Sequence, residues 1–336
     1  MTTKPWTRLF LSALVLSLVA VACGDNGDDG GTNSGASPVT GSLNISGSST
    51  VEPITSLVAE KFQSANNGVE IAVDGPGTTD GFALFCNGET DIQDASRTIK
   101  DEEIAACKDK GVDYIELEVA LDALSVIGNP QNSIDCLNFG DLYALFGPES
   151  EGFKSWADAN ALAKEVGGNG GFPDVPLTIV APGTESGTFG SFIDLAIKGI
   201  AEDERGKDAT LRTDYQSSAD DNVIVDNAAG NAGGIGFVGF SYAQNAGDTV
   251  KEFQVDKGDG CVAPSSESVI DNTYPLGRPL FLYINKEKLA SNPALKPFVD
   301  FYLTADGIAS VEEVQYIALP SDRLEATRTA WKSATA

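Results

Sequence analysis

Extended and helical patterns alternate along the chain from about residue 42 to its end. Residues 42–46 (SLNIS) read as a short strand. The stretch from Pro53 to Ala65 then places Ile54, Leu57, Val58 and Phe62 on one stripe of helical period. Residues 69–74 (VEIAVD) alternate apolar and polar, as a half-buried strand does. Helical patterns follow from Gly81 to Cys86 and from Asp101 to Lys108, the second opening on acids that suit a helix N-terminus. Residues 113–129 carry two strand runs, and Gly140 to Phe146 and Ser155 to Val166 read as helices. Residues 177–181 (LTIVA) form a buried strand that turns into a helix from Phe189 to Ala201. Strands at 234–240 and 279–285 precede two amphipathic helices that close the chain. Such alternation predicts α/β sheets covered by helices on both faces, as one large sheet or as two lobes joined by crossing strands.

The first residues follow another pattern. Lys4 and Arg8 precede an apolar run, Leu9 to Ala22, broken only by serines. The run is shorter than the roughly 20 residues a membrane span needs, and residues 1–22 have the proportions of a signal peptide. The run ends AVAC, which resembles a bacterial lipobox with Ala20 in the usual leucine position, so Cys23 is the expected lipid-bearing N-terminus. Residues 23–42, rich in Gly, Asp and Ser, are an expected flexible tether.

Composition narrows the chemistry. At 336 residues the chain has length for two domains, with 42% hydrophobic residues to build their cores. Its formal net charge of −27 argues against nucleic acid, which needs a basic face. It leaves a small anion open, because backbone N–H groups, hydroxyls and one arginine hold an oxyanion inside a cleft whatever the charge outside. No histidine is present, which removes Ser-His-Asp and Cys-His catalysis and His-ligated metals. Neither a metal nor another cofactor is expected. Besides Cys23 there are Cys86, Cys107, Cys136 and Cys261. Three pairings into two disulfides are possible in an exported chain. Cys86–Cys107 and Cys136–Cys261 are the expected ones, the first for closeness in sequence and the second for falling within one domain.

Four segments share a small, hydroxylic or Gly-rich character near strand–helix boundaries: 46–54 (SGSSTVEPI), 75–82 (GPGTTDGF), 90–100 (TDIQDASRTIK) and 181–192 (APGTESGTFGSF). A helix start leaves its first N–H groups unpaired and carries about half a positive charge. Serine, threonine or glycine there lets an anion approach closely. Ordinary capping explains any one such segment; four of them, with Arg97 among them, suggest a site. Arg97 either forks onto an oxyanion or forms a surface ion pair with one of the many acids.

In this order, these segments resemble the phosphate-binding receptors of bacterial phosphate ABC importers, a branch of the type II periplasmic-binding-protein superfamily. The resemblance spans about residues 43–333 and includes GGIGFVGFSYA (233–243), KGDGCVAPS (257–265) and YPLGRPLFLYIN (274–285). It implies an α/β fold of two lobes joined by a two-strand hinge, 43–127 plus 276–336 and 128–275, closing over phosphate. Carried over, Ser49, Thr50 and Thr78 come from the first lobe, and Ser186, Gly187 and Thr188 from the second. Ser96 and Arg97 lie on the family's phosphate loop. Some members have an aspartate at the Arg97 position, accepting the proton of hydrogen phosphate, and many have an arginine where this chain has Pro182. Arg97 is therefore expected to serve as the site's cation, with Asp80, and after it Glu185, as proton acceptor. The implied partners are inorganic phosphate, the membrane permease of an ABC importer, and the outer face of the cytoplasmic membrane through Cys23; the protein would be a monomer and not an enzyme. The rival readings are an extracellular phosphatase-like enzyme, a sensor or adhesin of the same fold, or a receptor for another tetrahedral oxyanion such as sulfate.

Overall fold

The computed structural model describes residues 38–184 and 186–336. Cys23, the signal peptide, most of the tether and Glu185 lie outside the described residues. The first half runs β1 (Thr40–Gly47), α1 (Glu52–Ala65), β2 (Gly68–Asp74), α2 (Thr78–Cys86), β3 (Ile92–Ala95), α3 (Asp101–Asp109) and β4 (Tyr114–Gly128). The middle holds β5 (Cys136–Asn138), α4 (Phe139–Phe146), α5 (Asn160–Glu165), β6 (Thr178–Ala181), α6 (Gly187–Phe192), β7 (Gln216–Ser217), α7 (Asp221–Gly230), β8 (Gly234–Gly239) and α8 (Phe240–Ala246). After these come β9 (Lys251–Glu252), β10 (Gln254–Asp256), β11 (Cys261–Val262), α9 (Ser266–Ile270) and β12 (Gly277–Asn285). The chain closes with α10 (Lys286–Ser291), α11 (Leu295–Tyr302), α12 (Ala305–Glu313), β13 (Ile317–Ala318) and α13 (Ser321–Ala334).

One sheet runs in the order β2-β1-β3-β12-β4-β8-β6-β7, with β13 and β9 also paired to β4. Its outer strands are parallel, β1 with β2 and β3 on one side and β6 with β8 and β7 on the other. The central β12–β4 and β4–β8 pairs are antiparallel. Two hydrophobic cores flank this centre. One gathers Leu43, Ile54, Phe62, Leu117, Leu282, Phe298 and Trp331. The other gathers Leu124, Phe146, Trp156, Phe192, Phe237 and Phe253. Strand β4 contributes to both cores, and the chain entering β12 passes from Leu276 in one to Leu280 in the other, so two strands cross between the lobes.

The two strand runs at 113–129 are thus a single 15-residue strand, because each half is buried by a different core. Four helices, not two, follow β12. Thr304 caps α12 by accepting from the Gly307 N–H, and Pro320 precedes α13, so the apolar stripe is cut into short pieces. The helix expected at Phe189 begins at Gly187 and widens into π-helical turns over Ile193–Ile197 and Gly199–Glu204. Phe192, the last residue before the π-helical turns, is stacked on Phe237 with ring centroids 4.0 Å apart. Burying such a ring contributes about 1.5–3 kcal/mol. Both expected disulfides are present: Cys86–Cys107 ties α2 to α3, and Cys136–Cys261 ties β5 to β11.

Candidate functional site

The loop after β1 is built on glycine. Gly47 has φ +144°, and a Cβ there would lie 2.1 Å from the Asp94 carbonyl oxygen. Only a residue without a side chain lets this loop fold over β3, where the Ser48 N–H donates to Asp94 O at 2.8 Å. The loop leaves Ser49 exposed and buries Thr50. A second glycine, Gly77 at φ +112°, starts α2 and donates its N–H to Gly47 O at 2.8 Å. Thr78 follows. Its hydroxyl lies 3.0 Å from Ser96 Oγ and accepts from the Ser96 N–H at 3.2 Å. Three of the hydroxylic segments are thereby locked together.

They open onto a cavity of about 710 Å³. Ser49, Thr78, Asp80, Ser96 and Arg97 line it, all expected from sequence. Across from them, the π-helical segment supplies Asp194, Leu195 and Lys198. Wide turns of this kind recur at functional sites because they re-aim side chains within a helix.

Arg97 does not serve as the free cation of this cavity. Its guanidinium forks onto Glu103, Nη1 to Oε2 at 2.8 Å and Nη2 to Oε1 at 2.7 Å, and donates further to Thr79 Oγ1 and Thr98 O. Glu103, in the first turn of α3, also accepts the Lys100 N–H that begins this helix. Of the two readings the sequence allowed for Arg97, the structure shows the ion pair, with a carboxylate at bidentate distance on the fork.

The cation that faces the cavity from the crossing strands is Arg278, at the start of β12. It lies opposite Asp122 in the β4–β12 register, with Nε to Oδ2 at 3.2 Å. Nη2 donates to Thr50 Oγ1 at 2.8 Å and Ser191 Oγ at 3.2 Å, and Nη1 lies 3.5 Å from Asp194 Oδ2. Ser191 Oγ donates to Asp122 Oδ2 at 2.8 Å and lies 3.4 Å from Thr50 Oγ1. This network joins the loop after β1, both crossing strands and α6. Thr50 thus sits behind the cavity wall, reaching it through Arg278. Sequence reasoning missed Arg278, Asp122 and Ser191. The available signal was a lone arginine beside a proline at the head of a buried strand, inside the quoted segment 274–285.

Ser186, Gly187 and Thr188 do not line this cavity. Ser186 caps α6, its Oγ accepting the Thr188 N–H at 3.2 Å. Gly187 faces Tyr316 instead, where an added Cβ would lie 2.9 Å from Oη. Beneath the site, Asp94 is fully buried, and neither carboxylate oxygen has a hydrogen-bond partner. Burial pushes its carboxyl well above the usual range; Thr55 opposes this, and Glu52 and Asp74 add to it.

Among the described residues no helix is long and apolar enough to cross a membrane, and no group of three or more Cys, Asp or Glu is placed to hold a metal. The chain matches the PBP superfamily domain over residues 32–306. Protein SphX of Synechocystis sp. is 39% identical over 283 residues, 84% of this chain and 79% of that protein. Phosphate-binding protein PstS of Staphylococcus aureus is 33% identical over 320 residues, 94% of this chain and 89% of that protein. The crystal structure of a possible phosphate binding protein from Planctomyces limnophilus superposes with a TM-score of 0.78 at 32% identity, covering 89% of this chain and all of that one. With the two-lobed fold, the crossing strands and this likeness over most of its length, the chain belongs to the PBP superfamily, in the group that holds the SphX and PstS proteins.

Proposed function

We propose that the protein captures inorganic phosphate in the cavity between its lobes and delivers it to the permease of an ABC importer. One observation carries this reading: Arg278, mostly buried, meets the hydroxyls of Thr50 from the loop after β1 and Ser191 from α6, and faces a cavity lined by Ser49, Thr78 and Ser96. A guanidinium ringed by hydroxyl donors is suited to a tetrahedral oxyanion, and exclusion of water on closure strengthens each contact. The names of the S. aureus and P. limnophilus relatives support phosphate as that anion.

The lobes are assigned to 43–127 plus 276–336 and to 128–275. Ser186, Gly187 and Thr188 bring the backbone N–H groups at the start of α6 to the anion as the lobes close. Asp80 accepts the proton of hydrogen phosphate, with Asp194 as the second acceptor; a fixed carboxylate there repels fully ionised sulfate. Export and a lipid on Cys23 put this receptor at the outer face of the cytoplasmic membrane, as a monomer. We read it as a receptor and not an enzyme; the chain has no histidine for the commonest acid–base roles.

Titration calorimetry with phosphate and with sulfate tests the reading. Phosphate should bind and sulfate should not. Absence of phosphate binding rejects the function, and equal binding of both rejects the selectivity. Asp80→Asn should narrow the gap between the two ions; if only Asp194→Asn does so, the acceptor is Asp194.

A further inference from the structure

We propose that Tyr316 is a positioning residue for the anion site, its hydroxyl setting where the Ser186–Thr188 turn sits relative to the Asp122–Arg278 pair. This rests on the reading above, in which that turn meets phosphate.

Tyr316 belongs to the short link between α12 and β13, and the link is pinned on three sides. Its own N–H donates to Val311 O at 3.0 Å. The next residue, Ile317, pairs with Leu121, directly before Asp122. The preceding residue, Gln315, adopts φ +69°, a left-handed conformation uncommon for a residue with a side chain, and donates its amide to Tyr242 Oη at 2.7 Å. A phenol held this way does not swing freely.

Its hydroxyl reaches the start of α6. For a Cβ built on Gly187, Tyr316 Oη at 2.9 Å is the one non-neighbouring atom within 4 Å. A side chain at 187 would therefore crowd the phenol oxygen, while the backbone there lies outside the left-handed region. The phenol also feels the central pair: burial raises its pKa further above the ordinary tyrosine value, Asp122 adds to this, and Arg278 opposes it. Among the described residues the hydroxyl makes no hydrogen bond. Among the described residues this partly buried O–H is left unpaired beside the start of α6, with its donor available to an anion that arrives there.

The test uses the full chain and three variants, Tyr316→Phe, Gly187→Ala and the double variant, read by phosphate titration and by ligand-free thermal melting. Tyr316→Phe should weaken phosphate by about fivefold to tenfold, the size of one lost hydrogen bond, with its ligand-free Tm close to wild type. Gly187→Ala should weaken phosphate and lower Tm, because the methyl meets the phenol oxygen. The double variant should recover both in part, since the oxygen is gone. Wild-type affinity in Tyr316→Phe overturns the proposal, as does an affinity loss that merely follows a fall in its Tm. No recovery in the double variant overturns the contact itself. If wild type binds no phosphate, the ligand assignment falls; the Tm values of the four chains still decide whether Tyr316 positions the turn.

Discussion

Asp122 and Arg278 face each other across the β4–β12 ladder at the point where both strands pass between the two cores. The pair is mostly buried, with side-chain exposures of 8% and 11%. Ser191 from α6 and Thr50 from the loop after β1 close around it. A charge held there serves two ends. It balances Asp122 in the strands that join the lobes, and its side chain also lines the cavity.

Arg278→Ala should therefore abolish or severely weaken phosphate capture, by about 2–5 kcal/mol, part of it from leaving Asp122 unpaired. Arg278→Lys should recover little, because an ammonium cannot reach Asp122, Thr50 and Ser191 at once. Arg97→Ala should cost clearly less, since its guanidinium is committed to Glu103. Calorimetry on the three variants checks the ranking; a larger loss in Arg97→Ala than in Arg278→Ala would return the role to Arg97.

Asp94 is expected to make stability fall with rising pH. Its folded pKa lies above its unfolded one, so the folded state is penalised whenever the carboxylate ionises. The wild type is free of this penalty below the unfolded value of about 3.9 and acquires it as pH climbs from there toward the folded value. Asp94→Asn removes the ionisation. The variant and wild type should melt alike near pH 3, and the variant should melt progressively higher toward neutrality. A variant that melts lower at every pH contradicts this.

Two ion pairs act in the opposite sense. Hydrogen bonding to Arg205 lowers Glu149 to about 2, and hydrogen bonding to Arg212 lowers Asp214 to about 2. Both folded values lie below the unfolded ones, so their stabilisation is complete above the ordinary carboxylate range and is lost as pH falls toward about 2. Glu149→Gln and Asp214→Asn should melt below wild type at pH 7, with the differences shrinking in acid. Unchanged differences from pH 7 to pH 3 would exclude this origin.

The disulfides should differ in weight. Cys86–Cys107 closes a separation of 21 residues and Cys136–Cys261 one of 125. Restraint of the unfolded chain grows slowly with loop length, from about 3 kcal/mol for a short loop to nearly 5 for a long one. Replacing Cys136 and Cys261 by serine should cost more in denaturant unfolding than replacing Cys86 and Cys107. The reverse order would mean that native-state packing, not chain entropy, sets the contribution.

Much of the fold was legible locally. The stripe Ile54, Val58 and Phe62 became α1, the alternation at 69–74 became β2, and the acids at 101–103 became the first turn of α3. Of the site, Ser49, Thr78, Asp80, Ser96 and Arg97 share one cavity as their segments suggested. For Arg97 the sequence left two readings, an oxyanion fork or an ion pair with a nearby acid, and the structure shows it paired with Glu103, only six residues away.

By themselves, the residues of this chain determined which stretches are helical or extended, where helices begin, and that anion-friendly loops recur at those starts. These follow from interactions within a few residues, so a local pattern carries them. The tertiary structure alone decided that Arg278 faces the cavity from the crossing strands. Arg278 lies 228, 156 and 87 residues from Thr50, Asp122 and Ser191. Their meeting depends on the register of β4 against β12 and on the turn width of one helix, and no local periodicity encodes contacts made across a sheet.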